Sequence, residues 1–406
     1  MTAKSGSNIL TRNFMLGFLA NFLFFGTNFY LIPVLPLYLH GLGSTSAEIG
    51  LVIGSFSLTA IFLRPLVGRI SDTVRKKWLM ALGAVIFIAA PPLYATTTSL
   101  FMLALIRIFH GVGVAAFAAS SAAFVPEIVP REKLSQATGL YVTSVSIATG
   151  LAPLLGSHMS SSTDFLGQML VPSIASVLAL LLVLLIKEDA PRAKAIRAPF
   201  GKVIKSPHVL VPTLIFTACS FTLGTITAFL PLYIISRGYH NPGLFFAVFS
   251  LTLITVRFFA GSLPDRYGRA RVIMPSLLLL CLALCILSAS RSPALLALTA
   301  VVYGTGYSLA YPSLNVWVVE HSPPAGRGSA MGVFSASVDA GAFLGPLFMG
   351  FVCLHLSYSS GFLLASTVPL AAFFLFKYTI AGDYSHFSPE YPAQNENEAA
   401  VKPPTT

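Results

Sequence analysis

The chain has 406 residues, 55% of them hydrophobic and only 10% charged, where a soluble protein carries about 25% charged residues. So small a polar complement excludes a water-soluble domain of this size, and the lack of polar–apolar alternation inside the long apolar runs excludes an outer-membrane β-barrel. The formal net charge of +11 does not point to nucleic acid, because Lys and Arg sit in the short loops between apolar runs, where they fix membrane topology.

Twelve segments are apolar and long enough to span a bilayer, at roughly 14–39, 46–69, 78–96, 99–124, 135–157, 166–186, 208–235, 242–263, 271–289, 293–318, 328–354 and 358–377. The loops alternate in charge. One set holds Arg69, Arg75, Lys76 and Lys77, then Arg131 and Lys133, the stretch from Lys187 to Lys205, Arg266, Arg269 and Arg271, and Arg327; the other holds only Arg237 and Arg291. The basic set is expected on the cytoplasmic side, and an even number of spans puts both termini there. Residues 1–13 therefore read as a cytoplasmic N-terminus, 187–207 as a cytoplasmic linker rich in Lys, Arg, Ala and Pro, and 378–406 as a polar, disordered cytoplasmic tail. Cys219, Cys281, Cys285 and Cys353 all lie inside apolar runs and read as small buried residues, with no disulfide framework, metal site or cofactor motif. No cleavable signal pattern follows Arg12.

The second half of the chain repeats the first at an offset of 193 residues. Arg64 falls on Arg257, Gly68 and Asp72 on Gly261 and Asp265, Gly111 and Gly113 on Gly304 and Gly306, Glu127 on Glu320, and Pro153 on Pro346. A parallel repeat of this length in a membrane chain implies two six-helix halves, 14–186 and 208–377, with a binding site between them.

In chain order, the first span offers Asn21 and Asn28, seven residues apart on one face, and Tyr30. Between the second and third spans lies Gly68-Arg69-Ile70-Ser71-Asp72-Thr73-Val74-Arg75-Lys76-Lys77, and between the eighth and ninth Gly261-Ser262-Leu263-Pro264-Asp265-Arg266-Tyr267-Gly268-Arg269. The fourth span carries Arg107, His110, Gly111 and Gly113, whereas the tenth keeps Gly304 and Gly306 but has Ala300 in place of the arginine. The seventh span adds Thr222. The tenth adds Tyr303, Tyr307 and Tyr311, four apart on one stripe, and Asn315. The eleventh carries Asp339, Gly341, Gly345 and Pro346; the fifth has the weaker copy, with Pro153 and with Ser146 at the acid's position.

The doubled loop signature resembles that of the major facilitator superfamily, and the stretch Gly304–Pro312 with Asp339 is similar to permeases described as arabinose-efflux-like or drug-efflux-like. The resemblance spans nearly all of residues 14–377. It implies an all-α integral membrane fold of twelve helices in two pseudo-symmetric six-helix bundles and a central cavity lined by the first, fourth, seventh and tenth helices; the sequence itself offers no nucleophile–base pair, metal-ligand spacing or phosphate-cradling loop, so no enzymatic activity is expected. Gly68, Asp72, Arg75, Gly261, Asp265, Arg266 and Arg269 are then expected to form a gating latch, completed by Glu127 and Glu320. The first copy departs from the family pattern at Thr73 and Val74. Gly111, Gly113, Gly304, Gly306, Gly341 and Gly345 are expected to pack helices, with Pro153 and Pro346 bending them.

Asp339 is the acid that these spans place deepest, near the midplane, on the side of its helix away from Gly341 and Gly345. It reads either as a coupling or substrate carboxylate, able to take up a proton, or as half of a fixed ion pair, for instance with Arg107. Arg107 reads as a counter-charge, an anion contact or a tie to backbone carbonyls. His110 reads as a proton-exchanging group or a hydrogen-bonded packing histidine. The expected function is proton-coupled export of a small organic solute across the inner or plasma membrane, by a monomer whose partners are lipid, solute and protons. An importer or uniporter, and a non-transporting receptor or scaffold, are the alternatives.

Overall fold

A computed structural model describes residues 9–70, 74–159, 164–188, 206–322 and 327–381. Most of the expected linker and tail, and Asp72, lie outside these residues. Twelve helical segments among the described residues are long and apolar enough to cross a membrane. The helices are α1 (Arg12–Gly41), α2 (Ser46–Ile70), α3 (Lys76–Tyr94), α4 (Leu100–Ile128), α5 (Leu134–Met159), α6 (Phe165–Leu184), α7 (Pro207–Ser236), α8 (Gly243–Ala260), α9 (Arg269–Ser288), α10 (Pro293–Glu320), α11 (Arg327–His355), and the pair α12 (Tyr358–Ala365) and α13 (Thr367–Phe376). The last two make one crossing, broken at Ser366. Each predicted span falls on one of these crossings, and the longest, α1, α4, α7 and α11, extend past their expected ends.

Local chemistry sets the helix ends. The Thr11 hydroxyl accepts from the Phe14 amide at the start of α1. Before α2, Glu48 reaches back to the Thr45 amide and hydroxyl at 2.7 and 2.8 Å, a capping arrangement. Proline opens α7 and α10 in the first turn, where no amide hydrogen bond is lost. Prolines lie inside α1, α5, α10 and α11, as membrane-spanning helices tolerate.

In the first half α1 packs on α5 and α6, α2 on α4, and α3 on α4 and α6; in the second α7 packs on α11, α8 on α10, and α9 on α10. The repeated glycines serve the same contacts twice. Gly111 sits against the Phe56 carbonyl and Thr59 of α2, and Gly304 against Phe249 and Thr252 of α8. Gly113 meets Ile86 and Phe87 of α3; Gly306 meets Ser276, Leu279 and Leu280 of α9. A side chain at these positions would push two backbones apart. Gly341 and Gly345 pack on α7, against Phe221, Ser220 and Thr225.

The halves meet through α2 with α11 and α5 with α8. Gly50 of α2 lies under the Pro346 carbonyl of α11, and its repeat equivalent Gly243 of α8 lies 2.5 Å, measured from an added Cβ, from the Pro153 carbonyl of α5. Gly54 faces Phe343, and the equivalent pair, Ala247 and Gly150, also touches. All these contacts lie toward the end of the bundle carrying the sparsely charged loops. Near the other end, Gly139 and Gly332 face open space.

Candidate functional site

A cavity of about 530 Å³ lies between the halves, in the range of small-molecule sites. It is bordered by α1, α2, α4 and α5 from one half and α7, α8, α10 and α11 from the other. It reaches Val125 at the end of α4 and Thr138 near the start of α5, toward the basic end of the bundle. Most of the wall is apolar or aromatic, including Phe25, Phe29, Ile32, Phe56, Phe216, Phe246 and Phe249.

The charged groups in the wall are Arg64, Arg107, Arg257 and Asp339. Asp339 projects from α11 into the cavity, opposite the glycines that pack on α7, as its helical position requires. Its partner is Arg64 of α2, with Nε 2.8 Å from Oδ2; the pairing with Arg107 raised from sequence does not form. Arg257, the repeat equivalent of Arg64, donates from Nη1 to the Ser146 hydroxyl of α5 at 3.0 Å. Ser146 is the repeat equivalent of Asp339. One cross-half contact is thus built twice, as an ion pair in one copy and as a neutral acceptor in the other. Ser250 Oγ also donates to the Ser146 carbonyl.

Arg107 lies on the cavity wall, 7% exposed, with its guanidinium 4.7 Å from the Phe56 ring centroid. Its Nε and Nη1 have no hydrogen-bond partner among the described residues. His110 does not border the cavity. It is fully buried among Phe56, Phe87 and Tyr94, with Nδ1 3.1 Å from the Tyr94 hydroxyl and Nε2 without a hydrogen-bond partner among the described residues.

Of the expected lining residues, Asn21, Asn28, Tyr307 and Tyr311 border the cavity. Asn21 is also tied to Ser144 and Ser121, each at 2.8 Å, and through Ser121 to Tyr141. Its amide therefore joins α1, α4 and α5. Tyr30, Thr222, Tyr303 and Asn315 lie outside the cavity wall. The Tyr30 hydroxyl meets the Met159 sulfur, and Thr222 and Tyr303 satisfy each other at 2.9 Å.

The acidic ends of α4 and α10 are paired alike. Lys76 Nζ is 2.7 Å from Glu127 Oε1, and Arg269 contacts Glu320 through Nε and Nη2 at 2.6 and 2.5 Å. Lys76 and Arg269 are repeat equivalents. Arg269 also reaches Asp265 at 3.6 Å, so it links the two acids expected in the second latch. Arg75, expected in the first latch, is exposed, and it is the buried neighbour Lys76 that meets Glu127. Glu188 accepts from the Lys76 and Lys77 amides at 2.8 and 2.9 Å, holding the end of the first half against α3. Gly68 lies in the last turn of α2, Gly261 ends α8, and Arg266 stacks over Tyr267 at 5.4 Å. Sequence reasoning noted Arg64 and Arg257 as repeat matches but not as site residues. A charge inside a predicted span is the signal that marks them.

A family model described as Major Facilitator Superfamily matches residues 17–245 and 239–403. The staphylopine export protein of Staphylococcus aureus is 25% identical over 354 residues, covering 82% of this chain and 87% of that protein. The multi-drug resistance efflux pump PmrA of Streptococcus pneumoniae is 24% identical over 355 residues, covering 82% of this chain and 88% of PmrA. The crystal structure of the nucleoside transporter NupG superposes with a TM-score of 0.71 at 17% identity, covering 91% of this chain and 99% of that one.

Proposed function

This chain belongs to the Major Facilitator Superfamily, and on that premise we propose that it exports a small organic solute in exchange for protons. In this reading bundles 14–186 and 208–377, joined by linker 187–207, rock about the central cavity in a monomer of the inner or plasma membrane. The basic loops and both termini face the cytoplasm. The cavity then opens inward, and the Gly50–Pro346 and Gly243–Pro153 contacts form the closed outer gate. Export is supported by the names of two relatives, a staphylopine export protein and a multi-drug resistance efflux pump.

One observation carries proton coupling: the cross-half contact that is Arg64–Asp339 in one copy is Arg257–Ser146 in the other. A proton on Asp339 removes its charge, and Arg64 then loses its ionic partner across the halves. The Ser146 contact has no carboxylate to titrate. Protonation therefore weakens one of two equivalent ties and biases the rocking equilibrium, which is what a coupling ion must do.

The test uses the full chain in proteoliposomes. A thermal-shift screen of drugs, sugars, amino acids and siderophore-like metabolites selects solutes, whose uptake is then followed with the vesicle interior acidified. Exchange for protons predicts uptake that collapses with a protonophore. Uptake running with the proton gradient instead makes the chain a symporter, uptake indifferent to the gradient makes it a uniporter, and no movement of any stabilising solute supports a receptor or scaffold.

A further inference from the structure

We propose that the solute is an amphipathic organic anion whose acidic group docks on Arg107. The inference rests on the transport reading only for the claim that the bound anion is carried. The cavity wall holds three guanidinium groups and one carboxylate. Two of the guanidinium groups are engaged across the halves, Arg64 with Asp339 and Arg257 with Ser146. Arg107 has the neutral Tyr94 hydroxyl as a neighbour and no acidic partner among the described residues. It is more than nine-tenths buried, borders the cavity, and keeps Nε and Nη1 without a protein partner.

A buried guanidinium without a counter-charge is costly, and the fold does not need one at this place. The equivalent residue of the second half is Ala300, on a helix that makes the same glycine contacts with its neighbours. The charge is therefore not a packing requirement of the architecture. Guanidinium donors without a protein partner match the oxygens of a carboxylate or phosphate group. The Phe56 ring beneath Arg107 holds the guanidinium plane by a cation–π contact. The surrounding wall supplies Phe29, Ile32, Phe216 and Phe249, with Asn28 as a neutral polar contact. An acid with an apolar or aromatic body fits this set. A cation would enter a wall that already carries surplus positive charge.

Exchange of such an anion outward for a proton inward moves positive charge inward on both counts. Transport is then electrogenic and speeds up when the cytoplasmic face is negative.

The binding test uses matched triplets on three scaffolds, naphthyl, indolyl and biphenyl: the acetic acid, its methyl ester and the corresponding ethylamine. Thermal unfolding of the purified full chain is followed with each. The acid of at least one scaffold should stabilise the wild type while its ester and amine do not. Arg107→Gln should weaken that acid at least tenfold in apparent affinity, and Arg107→Lys, which keeps the charge but loses the planar guanidinium, should weaken it less. Equal stabilisation by ester or amine, acid stabilisation that survives Arg107→Gln, or no acid effect on any scaffold overturns the proposal. If Arg107→Gln fails to fold, the wild-type triplets and Arg107→Lys still decide it. Flux of the same compounds at a valinomycin-set potential separates the two readings. An acid that binds at Arg107 without crossing sinks the transport reading and leaves the anion site, whereas movement of amines alone sinks the anion and leaves transport.

Discussion

Asp339 and Ser146 occupy the same place in the two halves, and each meets the arginine of the opposite half that the repeat assigns to it. The geometry is shared and the charge is not, so at this contact the halves differ by one carboxyl group. Substituting Ser146→Asp should supply Arg257 with an ionic partner and make the second tie titratable as well. The expected result is a stiffer cross-half interface and solute exchange slowed about 5- to 150-fold, the range of a coupling energy of about 1–3 kcal/mol; exchange at the wild-type rate would argue against a mechanical role for this pair. A second contrast lies at the basic end. Lys76 is 3% exposed and its partner is Glu127, whereas Glu320, the partner of Arg269, has a side chain 47% exposed. Removing the partner of a buried ammonium leaves an uncompensated charge, so Glu127→Gln should destabilise the protein by roughly 2 kcal/mol. Glu320→Gln should cost about 1 kcal/mol or less. Unfolding midpoints of the two variants in one detergent check the order.

Helices carry two kinds of glycine contact, and they should respond differently to the same substitution. Gly111 packs α4 on α2 inside one half, while Gly50 packs α2 on α11 between halves. Overpacking costs about 1–3 kcal/mol in either place. At Gly111→Val the cost falls on every conformation, and yield and thermal stability should drop. At Gly50→Val it falls only on the state in which this end is shut, so the variant should fold normally yet favour the opposite opening, as cysteine accessibility at that end would report. Equal loss of stability in both variants would contradict the division. Much of this was legible beforehand. The spans followed from apolar length alone, and the repeated glycines announced shared packing because a missing side chain at the same offset twice needs the same reason. Asp339 was found because a carboxylate in an apolar run is conspicuous. Its partner was not, because Arg64 lies near the end of its span and a sequence does not say which helix of the other half α11 will face. The tyrosine stripe of α10 misled for a related reason: helical spacing puts Tyr303, Tyr307 and Tyr311 on one face, but only two of them border the cavity, and Tyr303 is satisfied by Thr222.

For the molecule as a whole, the proposed export cycle joins the closed end and the Arg64–Asp339 tie in one device. If the halves rock, the contacts around Gly50, Gly243 and Gly350 must open in each cycle. Gly350 packs against Ala47, with an added Cβ 3.2 Å from its Cα. In a protein whose four native cysteines are replaced, the pair Ala47→Cys and Gly350→Cys should crosslink and arrest transport, and a reductant should restore it; transport that persists in the crosslinked protein would refute rocking about this end. On the proposed mechanism Asp339 carries the coupling proton, and Asp339→Asn removes the titrating group while keeping its shape. In proteoliposomes loaded with the pH dye pyranine, the wild type should show solute-triggered proton movement, and the variant should lose it at least tenfold while still exchanging solute for solute. Proton movement in Asp339→Asn equal to that of the wild type would mean that Asp339 does not carry the coupling proton.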